Sequence, residues 1–180
     1  MLRNWMLPLI ATAALFVPTF VAPAQAGDDV TVEIVDWNQT MQKVAAHKGK
    51  VVIVDLWSLS CLPCRREFPN LVKLHKQRSN QIACISVSVD YDGIRTRPPE
   101  YYQPKVLEFL KKQGATFENV LCNVESDVLF DQLKLGSIPA VFVFDQQGRL
   151  AHRFADPQDG MEYTYQEDII PFVEGLLQAN

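Results

Sequence analysis

The apolar positions of this chain change period several times, and each change marks an element. Val30-Thr31-Val32-Glu33-Ile34-Val35 alternates apolar and polar side chains, the two-residue period of a half-buried strand. Gln39 to Lys48 follows as a short helix closed by Gly49. Val51-Val52-Ile53-Val54-Asp55-Leu56-Trp57 is almost wholly apolar and β-branched, which predicts a central strand covered on both faces by helices. From Cys61 to about Gln77 the pattern becomes a helical stripe of Phe68, Leu71, Val72 and Leu74. Pro69 predicts a kink there, because it lacks an N–H and crowds the preceding turn.

Ile82 to Val89 is a further strand, and Asp90 to Gln103 is irregular, with several Pro and Tyr residues. A helix is predicted from Pro104 to Gln113, with Pro at its start and Gly114 past its end. A short strand around Val120 to Asn123 precedes a helix capped by Ser126 and Asp127 and carrying Val128, Leu129 and Leu133. Ala140 to Phe144, the turn Gln146-Gln147-Gly148 and Arg149 to Phe154 predict a hairpin. Gln166 to Gln178 closes the chain as a helix with Pro171 near its start. Strand–helix–strand units followed by a hairpin and a helix make one three-layer α/β domain, a central mixed β-sheet flanked by helices.

The first 26 residues stand apart from this pattern. Arg3 precedes an apolar run from Trp5 to Val21, and Ala24-Gln25-Ala26 places small residues where a signal peptidase needs them. Residues 1–26 are therefore expected to be a signal peptide, and residues 27–180 the domain. An uncleaved anchor is the competing reading, since the run approaches the length of a bilayer span. Pro8 and Pro18 suit such a helix poorly. Cleavage leaves a chain with no membrane association in a periplasmic or secreted setting.

The 180-residue chain is 48% hydrophobic and 21% charged, an ordinary globular balance. Its net charge of −4 offers no broad basic surface, which argues against nucleic acid or anionic lipid as a main partner.

All four cysteines (Cys61, Cys64, Cys84 and Cys122) fall after the leader, where disulfides persist. Cys61-Leu62-Pro63-Cys64 directly follows a buried strand and opens a helix. Unpaired N–H groups at a helix N-terminus stabilise negative charge, so Cys61 is placed to be a thiolate, the attacking species of disulfide exchange. Cys64, one turn on, is placed to resolve a mixed disulfide. A zinc site lacks its second half, for there is no other Cys-x-x-Cys, and His47, His75 and His152 are scattered as surface or packing residues. A purely structural bridge over so short a loop would remove little unfolded-chain entropy. Cys84 and Cys122 lie in two predicted strands. They are expected to be free and buried, because strand positions seldom meet bridge geometry, although a second disulfide is the alternative.

The segment VVIVDLWSLSCLPCRREFP resembles the thioredoxin superfamily, in particular the exported thioredoxin-like proteins of the TlpA/ResA kind. Gly136-Ser137-Ile138-Pro139 is similar to that family's cis-proline loop, and the segment between Asp90 and Asn123 resembles its helix-and-strand insertion. The resemblance implies a thioredoxin-like fold and an exported thiol–disulfide oxidoreductase. Its redox disulfide is Cys61–Cys64, with Asp55 as a buried acid beneath it that accepts the Cys64 proton. Ile138, Pro139, Trp57, Leu62 and Pro63 are then the substrate-binding set. The implied partners are an exported protein with a disulfide and an upstream thiol donor. No metal or cofactor is implied, and the expected state is a monomer.

Ser60 departs from the family, which usually has Trp before the first Cys, and Ala140 replaces a common Thr. These departures bear on partner choice and potential. A reductase is the expectation. An oxidase or isomerase, or a non-catalytic module that holds a partner or copper, remain alternatives. Arg95-Thr96-Arg97-Pro98-Pro99-Glu100-Tyr101-Tyr102 is either a partner contact or a solvated loop.

Overall fold

Every residue of Val51–Trp57 is buried, as its unbroken apolar pattern requires, and the rest of the sheet assembles around it. A computed structural model describes residue 1, residues 29–155 and residues 163–179. The expected signal peptide therefore lies, apart from Met1, outside the described residues. In chain order the elements are β1 (Glu33–Val35), α1 (Trp37–Ala46), β2 (Val51–Trp57), α2 (Leu62–Arg78), β3 (Ile82–Ser88) and α3 (Pro99–Gln113). Then come β4 (Glu118–Cys122), α4 (Ser126–Leu133), β5 (Ala140–Phe144) and β6 (Leu150–Phe154), a π-helical turn (Tyr165–Ile169) and α5 (Ile170–Gln178).

The strands form one mixed sheet in the order β1-β4-β3-β2-β5-β6. The first four run parallel, while β5 and β6 are antiparallel to their neighbours. Alternation along the strands sends Ile53 and Trp57 of β2 to one face, against Phe68 and Leu71 of α2, Leu110 of α3 and Ile169 and Val173 at the C-terminus. Val54 and Leu56 face the other way, toward Trp37 and Val44 of α1 and Leu129 of α4. Helices thus cover both faces of the sheet. Among the described residues, no helix is long and apolar enough to cross a membrane.

Three element boundaries differ from expectation, each for a local reason. The strand expected from Val30 is paired only over Glu33–Val35, the stretch that meets β4. Helix α3 begins at Pro99, so Pro104 lies inside it. The carbonyl that Pro104 cannot bond belongs to Glu100, which is exposed and can be satisfied by water. Ser126 is the first residue of α4 rather than its cap. Glu125 holds the cap position without a side-chain bond, and the Ser126 N–H is donated to the Tyr91 carbonyl at 2.9 Å.

Pro69 lies within α2 without ending it, and Gly114 closes α3 at φ 66°, the left-handed conformation that a residue without Cβ adopts at little cost. The C-terminal helix opens with the five-residue π-helical turn. Pro171 has no N–H to give to the Glu167 carbonyl, and the Ile170 N–H bonds Tyr165 instead.

Candidate active site

The first cysteine sits where a strand hands over to a helix, and its surroundings are built to hold that junction. After Trp57 the chain turns through Ser58, Leu59 and Ser60, and the Cys61 N–H bonds back to the Ser58 carbonyl at 3.2 Å. Asp90, two residues past the end of β3, accepts the Leu59 N–H through both carboxylate oxygens, at 3.0 and 3.2 Å. It also accepts the Ser88 hydroxyl at 2.7 Å. The turn before Cys61 is therefore fixed to the neighbouring strand.

Cys61 is the N-cap of α2, and its sulfur accepts the Cys64 N–H at 3.2 Å. The positive end of the helix thus converges on this sulfur, the arrangement that favours a thiolate. Cys61 and Cys64 form a disulfide with their Cα atoms 5.3 Å apart. The two sulfurs differ in access. Cys61 is only partly buried, whereas Cys64 is 3% exposed and belongs to the core.

Two grooves flank the pair. One, of about 590 Å³, is lined by Ser58, Ser60, Cys61, Leu62, Phe130 and Ile138 among others. The second, of about 280 Å³, lies along Pro63, Arg66, Glu67, Ile138, Pro139 and Tyr163. Ile138 and Pro63 line both, so they form the ridge between them. The Ile138–Pro139 peptide bond is cis, and Leu62 is strongly exposed between the cysteines. Trp57 is buried, as expected of its strand, and so does not serve in the substrate-binding set. It has no exposed surface, packing against Phe68 and Phe109 at ring-centroid distances of 5.1 and 4.7 Å. Zero exposure removes it from the substrate-binding set and makes it support for the helix that carries the cysteines.

Beneath Cys64 lies a small cavity of about 10 Å³, the scale of one water molecule. Asp55, Cys64, Glu67, Pro139, Val141, Tyr163 and Tyr165 line it. Asp55 is buried, and its Oδ2 accepts the Tyr165 hydroxyl at 2.7 Å. Burial pushes the Asp55 carboxyl up to about 7; the Tyr165 hydrogen bond opposes that shift and the nearby Glu67 adds to it. Glu67, on the second turn of α2, accepts the Tyr165 N–H at 3.1 Å and the Asn70 side-chain amide at 3.1 Å.

Sequence reasoning located Asp55 but missed Glu67 and Tyr165. For Glu67 a signal existed, since it follows Cys64 by three positions and so returns to its side of the helix. Tyr165 carries no such local signal.

Cys84 and Cys122 are free and buried. Alternation along adjacent strands puts Cys84 on the α2 face of the sheet and Cys122 on the α1 face, so their Cβ vectors diverge and no bridge can form. Burial pushes both thiols up, and Cys84 further through its proximity to Asp55. Among the described residues, no group of three or more His, Cys, Asp or Glu side chains is placed to hold a metal ion.

The chain is similar to the thiol:disulfide interchange protein DsbE homolog of Paracoccus denitrificans, 29% identical over 129 residues, 72% of this chain and 63% of that one. It is also similar to the thiol-disulfide oxidoreductase ResA of Bacillus subtilis, 25% identical over 128 residues, 71% of this chain and 65% of that one. The chain thus spans a little under two thirds of the length of these relatives. Among solved structures it resembles a thioredoxin family thiol:disulfide interchange protein from Chlorobium tepidum, with a TM-score of 0.56 and 23% identity over 74% of this chain and 83% of that one. A DsbF homologue from Corynebacterium diphtheriae gives a TM-score of 0.56 and 24% identity over 74% and 76% of the two chains. These likenesses show the thioredoxin-like fold. The AhpC/TSA family pattern matches residues 17–153, well over half the chain, and the chain belongs to the AhpC/TSA family.

Proposed function

We propose that this protein is a thiol–disulfide oxidoreductase that reduces disulfides of exported proteins through Cys61 and Cys64. The observation that carries this reading is the unequal placement of the two sulfurs. Cys61 is accessible at a helix N-terminus, while Cys64 is buried against a cavity shared with Asp55. In the dithiol form the Cys61 thiolate attacks one sulfur of the substrate disulfide, and the bond between the substrate sulfurs breaks. The first substrate sulfur leaves as a thiolate and takes a proton from solvent. The thiol of Cys64 then gives its proton to the Asp55 carboxylate and attacks Cys61 Sγ. The mixed disulfide breaks, the second substrate sulfur leaves, and Asp55 returns the proton to it or to solvent. Two electrons pass from protein to substrate, and an upstream thiol donor restores the dithiol.

A carboxyl that titrates near neutrality suits Asp55 as the base of the second transfer, because it is both partly ionised and able to hold the proton. Ile138, Pro139, Leu62 and Pro63 supply the ridge and groove walls against which an extended substrate segment would lie. The apolar leader and the Ala24-Gln25-Ala26 site support cleavage after Ala26 and a periplasmic or secreted mature chain. The similarity to interchange proteins supports the exchange chemistry.

Insulin reduction tests the reading. Turnover is expected from the parent and none from Cys61→Ser, while Cys64→Ser accumulates a mixed disulfide. Activity that survives Cys61→Ser would exclude this mechanism. Direction is tested by equilibrating the pair with glutathione. A potential near the thioredoxin value of about −270 mV supports the reductase, and one near the strong-oxidant value of about −120 mV overturns it.

A further inference from the structure

Asp55 and Glu67 are two acids that line, with Cys64, a single small cavity. The Glu67 charge disfavours ionisation of the buried Asp55, so the geometry of the two must be held from outside the pair. One residue reaches both. The Tyr165 hydroxyl donates to Asp55 Oδ2 at 2.7 Å and the Tyr165 backbone N–H donates to Glu67 Oε2 at 3.1 Å.

We propose that Tyr165 is a positioning residue of the exchange centre, anchoring Asp55 and Glu67 together beneath Cys64 so that one Asp55 oxygen stays available for the Cys64 proton. This rests on the exchange reading above. Asp55 has two oxygens, and the hydroxyl occupies Oδ2 alone. A donor on a carboxylate stabilises its ionised form, the form that can act as base, and does so strongly out of water. The other titratable groups near Asp55 are Glu67 on α2 and Cys84 on β3, with Cys64 and Tyr163 in the cavity wall. Against burial and the Glu67 charge, the Tyr165 hydroxyl is the favourable contact.

The placement of Tyr165 is itself over-determined. It is 2% exposed at the head of the π-helical turn. Thr164 caps that turn by accepting the Glu167 N–H at 3.0 Å, and Asp168 accepts the Thr164 N–H at 2.7 Å. These reciprocal bonds fix the chain on either side of the tyrosine. Its hydroxyl and its N–H are thus presented to two different elements, β2 and α2, at once.

The test is Tyr165→Phe in the oxidised full chain, read by the ¹³C signal of the Asp55 carboxyl across pH. Losing the donor should raise the Asp55 midpoint by about one unit, a tenfold tighter hold on the proton. The acid limb of insulin reduction should move up by the same amount, with the alkaline plateau retained. In an Asp55→Asn background, Tyr165→Phe should leave the profile where it was. An unmoved Asp55 midpoint, or a rate lowered equally at every pH, overturns the proposal, because a merely structural role would act in that way.

If Tyr165→Phe does not fold, a ring-fluorinated tyrosine in place of Tyr165 carries the test. Its more acidic hydroxyl is a stronger donor to Asp55 Oδ2 with the ring and the backbone N–H kept, so the Asp55 midpoint must fall, and an unchanged midpoint overturns the proposal. The carboxyl titration needs no substrate. A shifted midpoint in a chain without exchange activity would reject the exchange reading alone, whereas an active chain with an unmoved midpoint would reject Tyr165 alone.

Discussion

Asp90 holds the Leu59 N–H with both carboxylate oxygens, at 3.0 and 3.2 Å, although the two residues lie on different strand ends. Through this contact the end of β3 sets the course of the turn that delivers Cys61. Burial pushes the Asp90 carboxyl up, while the bonds from Ser88 and Leu59 hold it down. Replacing Asp90 with Ala should destabilise the protein by about 1–3 kcal/mol, since two partly buried donors lose their acceptor. Asp90→Asn keeps one oxygen and should lose less. Urea unfolding of the oxidised protein measures both, and an unchanged midpoint for Asp90→Ala would remove the contact from the account.

Asp55 makes a prediction about stability and pH. Its carboxyl is raised from 3.8 to about 7 in the folded state. The native protein therefore binds this proton more tightly than the unfolded chain does. The stability it contributes is fully present below about pH 4 and is lost as pH rises through about 7. The loss is on the order of 4 kcal/mol. Asp55→Asn cannot ionise, so it should be more stable than the parent at pH 8, and the gap should close toward pH 4. A gap of the same size at both pH values would contradict the assignment.

Asn119 is buried and fully used. Its amide donates to the carbonyls of Thr31, Ala115 and Phe117 at 3.1, 2.9 and 2.8 Å, and its oxygen accepts the Ser86 hydroxyl at 2.8 Å. It ties β4 to β3 and to the segment before β1. Asn119→Leu strands these partners in the interior and should lose on the order of 3 kcal/mol, visible as a lower melting temperature. A variant that melts with the parent would show that water or a local shift replaces all four bonds.

The two free cysteines should be silent in the native state. Burial and raised thiols leave Cys84 and Cys122 unreactive toward an aromatic disulfide reagent in the oxidised protein. Denaturation without reductant should then expose two thiols. Rapid reaction of either one in native buffer would contradict its placement.

Much of this architecture is written in local pattern. The apolar runs of β2 and β3 announce strands buried on both faces, because a sheet covered on both sides leaves no polar alternation. Cys61-Leu62-Pro63-Cys64 announces a helix start, since capping and proline preference act within one turn. The elements that strayed did so where a neighbour in space decided the matter. Ser126 gave its N–H to Tyr91, and β1 paired only as far as β4 runs beside it.

Local pattern was enough for the three-layer class, the order of elements and the cysteine pair, and the resemblance to the thioredoxin superfamily put Asp55 near that pair. Tertiary structure alone decided what touches what beneath that pair. Tyr165 meets Asp55 across 110 positions, and only the folding of the C-terminal turn over β2 brings hydroxyl and carboxylate within 2.7 Å. Trp57, named in the substrate-binding set, is enclosed because α2 and α3 bring Phe68 and Phe109 over it. Propensity and periodicity report forces acting within a turn or a pleat. The chemistry of a buried acid is set instead by the solvent it loses and the donors that close around it, and those come from distant parts of the chain.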